Sequence, residues 1–222
     1  WLDSKNRASG EPGAVHHAAV WMPEVGKMLV AGGIPDHNTY MSMYDPENDI
    51  WESTPSIGIG DYPTLVWTGE YVLSWANDGW YNPTTEEGGS LANANEPTAY
   101  QYHTAIWTGT EMIVWGGDDG SVTNYGARHL PGSPNPSNGT WTPTSQGANC
   151  PGARAYHSAV WTDSEMIIFF GGGHWYQYWR PVRSLDRHLG ANFDGYGLPF
   201  IQKWTYGCLD QNENDHFGGS VI

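Results

Sequence analysis

The sequence predicts an all-β protein made of repeated antiparallel units, and three observations predict it. The chain of 222 residues holds 29 Gly, 15 Pro, 13 Trp and 13 Tyr. Turn-formers and large aromatics in that abundance suit many short strands joined by tight turns rather than packed helices. The apolar runs are of strand length and lack helical periodicity. A segment of similar wording returns four times, which is the mark of a repeat architecture.

The four segments align around one tryptophan. The first is Val15-His16-His17-Ala18-Ala19-Val20-Trp21, followed by Lys27-Met28-Leu29-Val30-Ala31-Gly32-Gly33. The second runs from Tyr62-Pro63-Thr64-Leu65-Val66-Trp67 through Tyr71-Val72-Leu73-Ser74-Trp75. The third is Tyr102-His103-Thr104-Ala105-Ile106-Trp107, then Glu111-Met112-Ile113-Val114-Trp115-Gly116-Gly117. The fourth is Tyr156-His157-Ser158-Ala159-Val160-Trp161, then Glu165-Met166-Ile167-Ile168-Phe169-Phe170-Gly171-Gly172. Trp21, Trp67, Trp107 and Trp161 thus recur at spacings of 46, 40 and 54 residues. Each segment reads as a hairpin: an apolar strand, a turn such as Thr108-Gly109-Thr110, and a second strand ended by glycines that permit conformations closed to other residues.

Each hairpin is followed by a second pair of strands. In unit one these are Tyr40 to Pro46 and a strand near Trp51. In unit three they are Tyr125 to Leu130 and Gly139 to Thr142. In unit four they are Arg183 to Leu189 and Gln202 to Thr205. Unit two is the exception: Trp80 to Glu96 is rich in Gly, Asn and Glu and shows no clear outer strands. The tryptophans of the first strands, with Trp51, Trp141 and Trp204, read as packing between sheets.

Four antiparallel strands per unit, Gly-Gly after the second and Trp in the fourth, resemble the kelch repeat, whose units are the blades of a β-propeller. The wording His-x-Ala-Val/Ile-Trp-Thr-x-x-Glu-Met-Ile resembles secreted or surface kelch proteins of bacteria. The resemblance covers nearly the whole chain and is weakest in unit two, where Asn77-Asp78 replaces Gly-Gly. It implies one kelch-type propeller domain or fragment over residues 1–222. Its units are approximately 15–60, 61–100, 101–154 and 155–214, with partial blade strands at 1–5 and 216–222. Kelch propellers usually have six or seven blades. The expectation is therefore a piece of a larger propeller, with closure of a ring by the two termini as the alternative. Trp1-Leu2-Asp3-Ser4 is not an initiation site, so a mature or partial product is expected, from which any export signal would already be gone.

The resemblance also places the candidate site. In a kelch blade the first strand is innermost, and the loops entering strand one and leaving strand two share one face of the disc. His17, His103 and His157 are then expected to ring the channel mouth, with Tyr102 and Tyr156 beside them. His37, Asp118, His174, Trp175 and Tyr176 overlook it. Such a gathering of His, Tyr, Trp and Asp suits a polar ligand pocket. The competing reading of the repeated histidines is a hydrogen bond to a neighbouring blade.

No cofactor is predicted, and two metals are alternatives. Arg154-Ala155-Tyr156-His157-Ser158 before Gly171-Gly172-Gly173 resembles the Tyr-His segment of galactose oxidase and glyoxal oxidase. That resemblance implies Tyr156 and His157 as copper ligands, and imidazole with phenolate suits copper(II). The second His and the Cys-linked Tyr of those enzymes have no recognisable counterpart, and Tyr102-His103 repeats the dipeptide. For calcium, Asp210, Asn212 and Asn214 alternate as the first ligands of an EF-hand do, but no Gly stands sixth and no Glu twelfth. An acidic solvated turn is the competing reading.

The remaining signals set limits. Nine Lys+Arg against 24 Asp+Glu give a formal net charge of −15, which disfavours nucleic acid and anionic lipid as partners. No apolar run approaches the roughly 20 residues of a membrane-spanning helix. Cys150 and Cys208 occupy similar loop positions before successive first strands, and they form the candidate disulfide pair if the Cα atoms approach within about 7 Å. Asn138-Gly139-Thr140 fits a glycosylation sequon. Ser-His-Asp elbows, phosphate loops and zinc spacings are absent from the sequence. The expectation is an extracellular, cell-surface or periplasmic binding or scaffold propeller, non-enzymatic, with a protein or glycan partner. The alternatives are a copper- or sugar-acting enzyme at the channel mouth and a structural subunit of an extracellular assembly.

Overall fold

The computed structural model of the chain describes residues 16–32, 41–55, 61–76, 78–98, 101–146, 150–172 and the backbone of 202–203. These form antiparallel sheets laid out in chain order. The first contains β1 (Ala18–Met22), β2 (Lys27–Ala31), β3 (Met41–Asp45) and β4 (Ile50–Ser53). The second contains β5 (Thr64–Trp67), β6 (Val72–Trp75), β7 (Gly79–Asn82) and β8 (Glu87–Ser90). The third contains β9 (Thr104–Trp107), β10 (Met112–Trp115), β11 (Gly126–Leu130) and β12 (Thr140–Pro143). In the fourth, β13 (Ala155–Trp161) pairs with β14 (Met166–Gly172), and β14 with β15 (Gln202–Lys203). Each sheet is a meander, so the all-β reading stands, and the first three sheets have four strands each. One one-turn 3-10 helix, Pro136–Asn138, is the sole helical element among the described residues.

Two turn chemistries recur in the meanders, each shown in two of the sheets. The first hairpin turns on Thr-Gly: Thr108 Oγ1 accepts from the Glu111 backbone N–H at 3.0 Å, and Gly109 has φ of 101°. Thr68 and Gly69 do the same in the second sheet. The outer hairpin turns on an Asx motif. Asp45 Oδ1 accepts from the N–H groups of Glu47 and Asn48, at 2.9 and 3.1 Å. Asn82 Oδ1 accepts from those of Thr84 and Thr85, at 2.9 and 3.2 Å.

The second sheet corrects the reading that unit two lacks outer strands. Its β7 and β8 pair from Gly79↔Ser90 to Asn82↔Glu87. Glycines carry no strand propensity, and packing supplies what propensity lacks. A Cβ on Gly89 would lie 3.1 Å from Trp80 Nε1, so the bare backbone makes room for the indole. That N–H donates to Ser137 Oγ at 2.8 Å, and Ser137 Oγ donates to the Ser90 carbonyl at 2.7 Å. A second correction concerns β15. Gln202–Lys203, expected as an outermost fourth strand, pairs directly with β14, Ile167 opposite Lys203. The expected strand Arg183 to Leu189 and Trp204 lie outside the described residues.

The sheets meet along their first strands, β1 against β5, β5 against β9 and β9 against β13. Alternation along the strands gives the second and third sheets two apolar faces each, which bury against the sheets on either side. Leu29 and Ala31 pack on Val72 and Tyr81, Leu73 and Trp75 on Met112 and Trp141, and Ile113 and Trp115 on Met166 and Ile168. Trp67, Trp107 and Trp161 join these layers as expected. Trp21 does not: its side is 49% exposed, because no described sheet precedes β1.

Candidate functional site

The residue before each first-strand histidine column forms the most distinctive feature of the molecule. That column is His16, Tyr62, Tyr102 and Tyr156. All four have left-handed backbones, with φ of 61°, 56°, 56° and 57°. Such a conformation costs a non-glycine residue on the order of 1–3 kcal/mol and persists only where the surroundings impose it. One imposing contact is the Tyr156 backbone N–H, which donates to the Tyr102 carbonyl of the preceding unit at 3.0 Å.

The consequence is a continuous strip of rings across four units. His16 and Tyr62 lie 4.4 Å apart between centroids, Tyr62 and Tyr102 5.0 Å edge-on, and Tyr102 and Tyr156 4.0 Å stacked. The neighbouring Tyr102 hydroxyl is the first cause that holds the Tyr62 phenol above its usual value, and the Tyr156 hydroxyl does the same for Tyr102. Asp61 and Asp118 place negative charge beside Tyr62 and Tyr102. The strip ends at Tyr156, whose side chain is 62% exposed.

The histidines behind the strip do not join it. His103 and His157 are each only 6% exposed. His103 Nε2 lies 2.8 Å from Thr64 Oγ1, and His157 Nε2 lies 2.8 Å from Thr104 Oγ1, so each ring is fastened to the preceding sheet. This is the arrangement of the competing reading, a hydrogen bond to the neighbouring unit: strand alternation turns the Tyr outward and the next residue, His, into the sheet interface. Where the second unit has Pro63 in the histidine column, the first has Ala18 in the threonine column, so the bond is lost from both sides together. Glycine completes the fit, since a Cβ on Gly116 would lie 2.7 Å from His157 Cε1. Burial pushes His103 down to about 3 and His157 down to about 4. His17 is exposed at the start of the strip.

Of the two copper candidates, His157 is buried in the sheet interface and Tyr156 is exposed. The imidazole nitrogen nearest a neighbour is engaged by Thr104, and the ring packs 5.1 Å from Trp115, while the Tyr156 ring stacks on Tyr102. Among the described residues no group of three or more His, Cys, Asp or Glu side chains could hold a metal ion. Asp118 stands near the strip, its backbone N–H donating to the Gln101 carbonyl at 2.9 Å and its Oδ1 accepting from Gly120 N–H at 2.9 Å. Asp78 and Glu96 occupy the loop after β6 and the loop before β9. Burial raises both carboxyls above their usual values, and the Asp78 charge adds to the effect at Glu96.

His37, His174, Trp175, Tyr176, the calcium candidates Asp210, Asn212 and Asn214, and Cys208 lie outside the described residues. Cys150 is half-buried and disulfide-bonded. Sequence reasoning missed His16 and Tyr62 as members of the site, although the column preceding the histidines was there to be aligned. It also missed Thr64 and Thr104, which the column after them contains. Compared with known proteins, the chain matches no family model and no curated protein.

Proposed function

We propose that this chain is a non-enzymatic binding module, a kelch-type propeller or part of one, that presents its strip of Tyr62, Tyr102 and Tyr156 to a neutral glycan. The observation that carries this reading is the strip itself. Four successive units each hold a strained backbone to line up one aromatic ring, and strain of this kind clusters at ligand sites. A tyrosine offers an apolar face together with a hydroxyl that donates and accepts, which is what a sugar ring's two kinds of surface require. The net charge of −15, with Asp61 and Asp118 beside the rings, opposes uronic and sialic acids and favours an uncharged ligand. The disulfide-bonded Cys150 supports an oxidising location, extracellular, cell-surface or periplasmic.

The test is a titration of the purified chain with neutral, uronate-containing and sialylated oligosaccharides, read by calorimetry, alongside Tyr156→Ala. Tyr156 is exposed, so its removal leaves the thermal midpoint nearly unchanged. Binding of a neutral oligosaccharide that falls at least about tenfold in the variant supports the reading. Saturable binding only to a protein partner, or binding indifferent to Tyr156→Ala, overturns it.

A further inference from the structure

The closest contact in the strip joins two phenols whose backbones are tied together. The rings of Tyr102 and Tyr156 are stacked, 4.0 Å between centroids and 22° between planes. Tyr62 and Tyr102 lie farther apart, at 5.0 Å and edge-on. The Tyr156 backbone N–H donates to the Tyr102 carbonyl at 3.0 Å, and the two residues have φ of 57° and 56°. The next residues, His103 and His157, are buried and each fastened to a threonine of the preceding sheet. Both phenols are thus anchored from the core beneath them, and two groups held face to face react as if at very high concentration. Tyr102 is half-buried with a unit on either side of it, so part of its ring meets solvent wherever the strip ends. Asp118 places negative charge beside Tyr102, which eases removal of an electron from the ring.

We propose that Tyr102 and Tyr156 form a site of oxidative modification, where a peroxide activated by a haem peroxidase joins the two rings as an intramolecular dityrosine. Each phenol gives up one electron and one proton, and hydrogen peroxide takes up all four particles to become two waters. The two phenoxyl radicals combine at ring carbons ortho to their oxygens, forming one carbon–carbon bond. The two displaced ortho hydrogens pass to the phenoxyl oxygens, so both rings regain aromaticity and the chain loses two hydrogen atoms in all. The bond ties the third unit to the fourth across 54 positions of sequence, and a cross-link over that length restricts the unfolded chain more than the folded one. The link needs no ligand and stands whether or not the strip takes a glycan.

The test treats the purified full chain with a haem peroxidase and hydrogen peroxide. It is read by dityrosine fluorescence, denaturing electrophoresis and peptide mapping by mass spectrometry. The wild type is expected to give dityrosine in chains that still run as monomers, with a yield per chain unchanged over about a tenfold range of protein concentration. The linked peptides are expected to carry Tyr102 and Tyr156, and the linked chain to unfold at a higher urea concentration than the untreated one. Tyr102→Phe and Tyr156→Phe keep the rings but remove the phenol, and each is expected to lower the yield at least about tenfold with circular dichroism unchanged. Tyr44→Phe, in β3, is expected to leave the yield as it was. Absence of dityrosine, its appearance only in covalent dimers, or a link mapped to other tyrosines overturns the proposal. The mapping is made on the wild type, so the outcome does not depend on either variant folding.

Discussion

His157 Nε2 lies 2.8 Å from the hydroxyl of Thr104, across the boundary between two sheets. The pair repeats at His103 and Thr64. Both imidazoles are buried, so removing the hydroxyl leaves a polar nitrogen without its partner in a low-dielectric contact. Thr104→Val is expected to lower unfolding free energy by about 1–3 kcal/mol in urea titrations. Ala18→Val, in the same column opposite Pro63, is expected to show no such loss. A cycle that pairs Thr104→Val with His157→Leu should return a coupling of about 0.5–3 kcal/mol. No coupling would mean that the hydroxyl is a bystander.

Stability should rise with pH across the acid range. Burial pushes His103 down to about 3 and His157 and His129 each down to about 4, from 6.5 in an unfolded chain. Between those values the unfolded chain binds more protons than the folded one. The stabilisation is therefore complete above the unfolded value and is lost as pH falls below it toward 4. Each histidine contributes a slope of about 1.4 kcal/mol per pH unit. The urea midpoint is expected to fall steeply between pH 7 and pH 5, with His129→Met removing about one-third of the slope from these three groups. A flat profile would show that the rings are solvated or paired as cations.

Much of the repeat is legible in the sequence because alternation and Thr-Gly turns act locally. The β9 to β12 sheet falls within a residue or two of its expected strands. The second sheet is not legible past Trp80, because its Gly-rich β8 is a strand only once the Trp80 indole lies against Gly89 and Asn82 closes the turn. The strip is half legible. Tyr102 and Tyr156 stand beside a histidine and draw notice, while Tyr62 precedes proline and His16 is not a tyrosine. Their shared left-handed backbone has no local signal at all, since it opposes the preference of each residue and is imposed by the neighbouring unit.

That backbone reverses an ordinary mutational ranking. At Tyr156, with φ of 57°, glycine adopts the native conformation without strain and alanine does not. Tyr156→Gly is expected to be more stable than Tyr156→Ala by about 1 kcal/mol. At the regular strand position Ser158 the order should invert, alanine exceeding glycine by roughly 0.5–1 kcal/mol. Thermal midpoints of the four variants decide it. Equal midpoints for the two Tyr156 variants would mean that the left-handed turn relaxes once the ring is gone.

Gly116 combines both constraints, a left-handed backbone and a close approach to its neighbours. Its φ is 68°, and a Cβ there would lie 2.7 Å from His157 Cε1 and 2.8 Å from the Arg154 carbonyl. The carbonyl belongs to backbone that is itself fastened, since it accepts from Gly117 N–H at 2.9 Å. Neither neighbour can retreat without breaking the Thr104 contact or that bond. Gly116→Ala is therefore expected to cost about 2–4 kcal/mol, the strain of the left-handed residue adding to overpacking. Gly109→Ala, with φ of 101° but nothing within 4 Å, isolates the backbone share and should cost less. If the two variants unfold at the same urea concentration, His157 is not held against Gly116 in solution, and the hydrogen bond to Thr104 must fail with it.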